Sequence, residues 1–241
     1  AGDGRTINAR PHPLVIQPEE QVCGEKAEGD DLRFSLLLLD RANSLLPYIV
    51  HAVRLMGEAG IGSGRRTGLG RFTIAEIRAG EDLVYDNQEN ILHQPVTTGK
   101  IRLDPCPDRG ISSLQVLLHT PLRLKQHNRL KMDLPFDTFI RACLRRIAAL
   151  EEAYGQGEPD LDYRGLVERA GRVKVGKSSI RWHPLFRWSN RQKQKISLAG
   201  LAGNVTYRGE LAEFIPLLRY CEQVNIGKQT VFGLGKIRLV G

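Results

Sequence analysis

No stretch of this 241-residue sequence approaches the roughly 18 to 20 unbroken apolar residues of a membrane-spanning helix, so a membrane partner is not expected. The opening Ala1-Gly-Asp-Gly-Arg-Thr6 has no apolar core and does not read as a signal peptide. Cysteine is scarce. Cys23, Cys106, Cys143 and Cys221 lie far apart, without the paired spacing of a zinc site, which points to reduced thiols in a cytoplasmic protein with no metal and no cofactor. Carboxylates do not gather as a two-metal nuclease would require, and the six histidines are scattered. The most informative lack is local: from Ala170 to Lys195 there is no acidic residue.

Over the whole chain, 35 Lys and Arg stand against 27 Asp and Glu, a net charge of +8 that suits a polyanion, nucleic acid above all. The cations are densest over 169–195, a segment that contains the acid-free stretch, with Arg169, Arg172, Lys174, Lys177, Arg181, Arg187, Arg191, Lys193 and Lys195. Both tryptophans, Trp182 and Trp188, lie there beside Phe186. Cations neutralise phosphates and exposed rings stack on bases, the combination of a single-stranded nucleic-acid site. A core role for the rings, with the cations as a solvated face, is the plainer alternative.

Glycine is plentiful and duplicated in pattern. Gly60-Ile-Gly62-Ser-Gly64-Arg65-Arg66-Thr-Gly68-Leu-Gly70-Arg71 is matched near the end by Asn225-Ile-Gly227-Lys228-Gln-Thr230-Val-Phe-Gly233-Leu-Gly235-Lys236. Each copy follows a helix-like segment with a proline near its start, Pro47 and Pro216, where a missing N–H costs nothing. An apolar, strand-like run follows each. The repeated unit is thus helix, glycine loop, strand. Exposed N–H groups among cations make an anion-binding concavity. Gly233 and Gly235 are then expected to admit a close RNA backbone, against the alternative of tight structural turns.

The order of elements predicts an α+β fold of tandem ferredoxin-like domains with antiparallel sheets, the first incomplete. Residues 1–80 form the partial first domain, 81–111 a hairpin and linker, and 112–241 the second domain with its C-terminal glycine loop. In the first, 11–18 reads as an edge strand, 31–40 as a buried strand, 46–59 as a helix burying Ile49, Ala52, Val53 and Met56, and 72–77 as a strand. An opening strand and helix are lacking, which predicts that a segment completing this domain was cut away or comes from another chain. In the second, a strand from Leu114 precedes the basic segment 123–131. There follow a helix capped by Asp137 that buries Ile140, Cys143, Leu144, Ile147 and Leu150 with Arg141, Arg145 and Arg146 off that face, and two strands over 180–208. The sum is strand, helix, strand, strand, helix, strand, the split βαβ order.

Residues 171–178 match a nucleotide hydrolase's phosphate loop letter for letter, but they follow a helix-like segment and run into β-branched and aromatic residues. An NTPase is therefore the weakest alternative. Catalysis has two candidates, His51 beside the first glycine loop and His183 in the basic segment, either able to act as general base near a 2′-hydroxyl.

Pro11-His-Pro-Leu-Val-Ile-Gln-Pro18, Leu46-Pro47-Tyr48, Thr120-Pro-Leu-Arg-Leu-Lys125, Trp188-Ser-Asn-Arg191-Gln-Lys193 and the closing glycine motif together resemble the CRISPR-associated RAMP endoribonucleases that process precursor crRNA. The resemblance spans nearly the whole chain. It implies binding of CRISPR repeat RNA and cleavage by attack of the 2′-hydroxyl on the adjacent phosphate. Related enzymes often carry the catalytic histidine on the first domain's first helix, which lies in the part lacking here, so no catalytic residue carries over. The RNA contacts expected are Arg65, Arg66, Arg181, Trp188, Arg191, Lys193, Lys195, Gly227, Lys228, Thr230, Gly233, Gly235 and Lys236. Other CRISPR effector subunits are the expected protein partners, and a non-catalytic subunit that only holds crRNA is the alternative function.

Overall fold

The computed structural model describes residues 10–18, 26–89, 91–93, 98–107, 110–124, 133–189 and 191–240. Cys23, Asn190 and most of the basic segment 123–131 lie outside them. The chain divides into two compact units, one formed by the residues through Leu38 with those from Ile101 onward, the other by Leu39–Lys100.

In the first unit, β1 (Leu14–Pro18) and β2 (Phe34–Leu38) form an antiparallel pair, Val15 opposite Leu37. β2 was expected to be buried, but its residues are half-buried or exposed. An unbroken apolar run does not by itself give a strand cover on two faces, and among the described residues β2 pairs with β1 alone.

In the second unit, α1 (Leu46–Ala59) carries Pro47 in its first turn. It buries Val50 and Gly57, whereas Ala52 and Met56, expected inside, are exposed. β3 (Glu76–Ala79), β4 (Asp82–Asp86) and β5 (Ile91–Leu92) make an antiparallel three-stranded sheet. The strand expected over 72–77 starts only at Glu76; Phe72 instead bonds back to the Gly57 carbonyl.

The main sheet belongs to the first unit. β6 (Ser113–Leu122) alternates strictly, with Leu114, Val116, Leu118 and Leu122 buried and Gln115, Leu117 and His119 half-buried, as a strand covered on one face must. The chain continues through α2 (Phe136–Tyr154), α3 (Tyr163–Ala170), β7 (Lys174–Ser178), β8 (Arg181–His183), β9 (Phe186–Ser189), β10 (Gln194–Ser197), β11 (Gly200–Arg208), α4 (Ile215–Val224) and β12 (Ile237–Val240). The sheet runs β12-β6-β11-β7, every pair antiparallel, with β8 beside the start of β11. That is the ferredoxin-like split βαβ, with β8, β9 and β10 inserted between its second and third strands.

Residues 180–208, expected as two strands, form four. Pro184 separates β8 from β9, since it has no N–H for a ladder, and a turn at 191–193 precedes β10. α2 buries the five residues expected of it, but its N-cap is Pro135, not Asp137, and no side chain caps it. The core is aromatic at its centre, with Phe136 4.7 Å from Tyr207 and 5.0 Å edge-on from Phe214. The Tyr207 hydroxyl donates to the Leu134 carbonyl at 2.9 Å, and burial pushes its pKa far up. Cys106, Cys143 and Cys221 are free thiols. Among the described residues no helix is long and apolar enough to cross a membrane.

Phe139, fully buried against Tyr207, should lose about 3–5 kcal/mol on replacement by Ala, while Phe186→Ala, at an exposed position, should stay within about 0.5 kcal/mol of wild type. Urea unfolding of the two variants measures the contrast.

Candidate nucleic-acid interface

The two glycine motifs fold into the same loop. Gly60, Gly62, Gly68 and Gly70 have φ of 75°, 80°, 81° and 72°; Asn225, Gly227, Gly233 and Gly235 have 55°, 83°, 83° and 74°. In each copy one backbone bond closes the loop, Ile61 N–H to Gly70 C=O at 2.8 Å and Ile226 N–H to Gly235 C=O at 2.9 Å. A Cβ on Gly70 would run into the Ile61 carbonyl, and one on Gly235 into that of Ile226. The close approach that Gly235 permits is thus to its own loop. Gly233 and Gly235 are both buried.

The second loop is held from four sides. Asn225, which tolerates a positive φ better than most residues, is fully buried; its amide donates to Leu234 C=O at 3.2 Å and its carbonyl accepts from Gln17 at 3.0 Å. Arg146 donates to the carbonyls of Val224 and Asn225 at 2.9 and 3.1 Å, placing a cation at the C-terminal end of α4, where the helix dipole favours one. Desolvation holds its pKa below the usual guanidinium range. Expected off the buried face, Arg146 is in fact part-buried, because those end carbonyls need a donor. From the end of β6, Pro121 C=O accepts from Gly235 N–H and Arg123 C=O from Lys228 N–H, both at 3.1 Å. From β1, Pro18 packs on Gly233, and its carbonyl accepts from the Lys236 ammonium at 3.2 Å.

The β9–β10 hairpin adjoins this loop. Arg187 lies with its guanidinium 4.6 Å from the Phe232 ring centre, and Arg123 bridges Ser197 C=O to the Gln229 side chain. Trp188 pairs directly with Lys195 and Phe186 with Ser197, so these share one hairpin face, while Arg187 and Ile196 take the other. Phe186 is 61% exposed and Trp188 54% exposed, which removes the core reading for these two rings. Trp182 is half-buried.

Arg191 and Lys193 project from the hairpin turn, both exposed, Lys193 at φ 51°. Lys228 is exposed and Gly227 half-buried; half-buried Thr230 opens the 3-10 turn at Thr230–Phe232. The structure therefore puts Trp188, Arg191, Lys193 and Lys195 on the β9–β10 hairpin and Gly227, Lys228, Thr230, Gly233, Gly235 and Lys236 in or beside the second glycine loop, the two joined through Arg187 and Phe232. Arg181 is exposed on β8 opposite Ala202, and His183 is half-buried opposite Gly200. His51, Arg65 and Arg66 are exposed on the second unit, Arg65 donating to Ala59 C=O at 3.1 Å. Residues 171–178 run from the end of α3 into β7, with Lys177 exposed on a strand, so no phosphate loop forms. No group of described residues could hold a metal ion.

Sequence reasoning missed Gln17, Arg123, Arg146 and Asn225. Asn225 had a signal, since it stands where the first motif has Gly60, which marks a positive φ. The other three act across hundreds or scores of residues, and nothing local marks them.

A family model described as CRISPR-associated endoribonuclease Cas6 matches residues 116–237, and one described only as an N-terminal domain matches residues 2–97. No curated protein matches the chain. Among solved structures, a Cas6 product complex aligns at TM-score 0.58 and 16% identity, over 96% of this chain and 84% of that one. Thermus thermophilus Cas6 aligns at 0.53 and 16%, over 95% and 79%. A chain of a partial Cas6-RT-Cas1–Cas2 complex aligns at 0.54 and 14%, over 94% and 38%. At such identities the likeness is one of fold.

Gly235→Ala should destabilise the protein by more than about 1 kcal/mol, since a side chain at this φ is strained and meets backbone. Gly99→Ala, in open space with no positive φ, should be neutral. Thermal melts of the two variants check the difference.

Proposed function

The chain belongs to the CRISPR-associated endoribonuclease Cas6 family, and on that premise we propose that it binds CRISPR repeat RNA and cleaves precursor crRNA. The observation that carries this reading is the hairpin face with exposed Phe186, Trp188 and Lys195, flanked by Arg191 and Lys193, on a hairpin whose other face meets Phe232 of the second glycine loop through Arg187. Rings at this exposure can stack on unpaired bases while the cations neutralise neighbouring phosphates.

The cleavage proposed is a metal-independent transesterification. The 2′-oxygen attacks the adjacent phosphorus as a general base takes its proton; the bond to the 5′-oxygen breaks and that oxygen is protonated. The products are a 2′,3′-cyclic phosphate and a 5′-hydroxyl. Either His51 or His183, as alternatives, is the candidate for the general base. A cytoplasmic setting is part of this proposal, and the free thiols Cys106, Cys143 and Cys221 are compatible with it. The relatives' assembly with reverse transcriptase, Cas1 and Cas2 makes CRISPR proteins the expected protein partners.

End-labelled repeat RNA incubated with the protein in EDTA should give one discrete product ending in a cyclic phosphate. A mobility shift with intact RNA would mean a subunit that holds crRNA without turnover, and absence of any shift would overturn RNA binding itself. Trp188→Ala should weaken binding by about 1–3 kcal/mol, the worth of one stacked base. Arg191→Gln should weaken it across RNA sequences and reduce the salt slope by about one, as a phosphate contact does. Filter binding over a range of salt concentrations measures both.

A further inference from the structure

The acid-free stretch contributes more than the hairpin. Upstream of it, β7 forms one edge of the main sheet, and all five of its residues are exposed. Lys174 stands directly opposite Arg208 of β11, so two cations share one face of a cross-strand pair. Like charges so placed repel and destabilise a sheet. No ion pair is recorded among the described residues for Lys174, Lys177, Arg172, Arg181 or Arg208, and all five are exposed. Among the described residues, the repulsion therefore stands without an ion-paired counter-charge.

The edge has a direction. Gly176 and Lys177 together oppose Thr206 in a bulge, and a Cβ on Gly176 would lie 3.5 Å from Arg208 Nε, so the Arg208 side chain lies along this position. Farther along the same side of β11, Arg181 of β8 pairs with Ala202. From Arg208 to Ala202 the strand rises by about 20 Å. The Arg181 end is the one near the glycine loop, because Leu201 pairs with Leu122, just before Arg123, which bonds the loop. Cations thus line the sheet edge in a track that leads away from the loop.

We propose that the β7–β8 edge is a second RNA-binding tract. It carries a single-stranded segment leaving the glycine loop past Arg181, Lys177 and the Lys174–Arg208 pair. Among the described residues no exposed ring accompanies these cations, so the tract reads phosphates and is indifferent to base sequence. It rests on the RNA-binding reading above but concerns RNA beyond the part held by the hairpin. A protein strand adding to the edge is the competing occupant; a row of lysine and arginine, which blunts strand addition, disfavours it.

The test uses the intact protein and three RNAs: the shortest repeat fragment that binds, and that fragment with a tail of about eight uridines, the scale of a single-strand site, at its 5′ or its 3′ end. The wild type should bind one tailed RNA more tightly than the fragment. The triple variant Lys174→Gln, Lys177→Gln, Arg208→Gln should lose that gain, bind the fragment as wild type does, and show a salt slope on the tailed RNA lower by about 2, roughly 0.7 per phosphate contact. Its melting temperature should not fall, since the substitution removes a like-charge pair. The charge-keeping variant Lys174→Arg, Lys177→Arg, Arg208→Lys should retain the gain. No tail effect in a wild type that binds the fragment would overturn the tract while leaving RNA binding intact. So would equal loss on fragment and tailed RNA, or no loss at all, which would leave the edge to a protein strand. A wild type that binds none of the three RNAs would overturn both readings.

Discussion

The bond from Ile226 N–H to Gly235 C=O is the constraint on which the rest of the interface depends. It brings the two ends of a ten-residue excursion together between α4 and β12, and it exists only because the backbone turns to positive φ at Asn225, Gly227, Gly233 and Gly235. Once closed, the loop offers fixed donors and acceptors to everything around it. Arg146 satisfies the last carbonyls of α4, β6 supplies Pro121 and Arg123, and β1 supplies Pro18 and Gln17. A loop so held loses little conformational freedom when a ligand arrives, which is how preorganisation turns contacts into affinity.

Charge and shape divide the work. The core carries the stability, through Phe136, Phe139, Tyr207 and Phe214, and needs no cation. Most cations of the acid-free stretch are exposed and add little to folding, whereas Arg169, just before its start, pairs with Asp162 and Glu213. Arg187 within that stretch and Arg123 outside it are both drawn inward to join the hairpin to the loop.

Much of this was legible in the residues. The period-2 burial of β6 and the apolar stripe of α2 follow from the spacing of their leucines and isoleucines, and the split βαβ order follows from the sequence of elements. The duplicated loop was legible because glycine is nearly the only residue that tolerates its turns. Where reasoning failed, cover was the cause. β2 looks like a core strand but has one neighbour among the described residues, and 180–208 looks like two strands although Pro184 and the turn at 191–193 help cut it into four.

The sequence by itself determined the closing geometry of the two loops, the alternation of the main sheet and the location of an acid-free basic stretch, because each depends on neighbours within a few residues. Only the tertiary structure decided which side chains serve the loop. Gln17 reaches Asn225, Arg123 meets Gln229, and Arg146 caps α4, each across a separation in the chain that carries no local signal. It also decided that Phe186 and Trp188 face outward. Exposure of an aromatic ring depends on what packs over it, and that is a property of the folded whole.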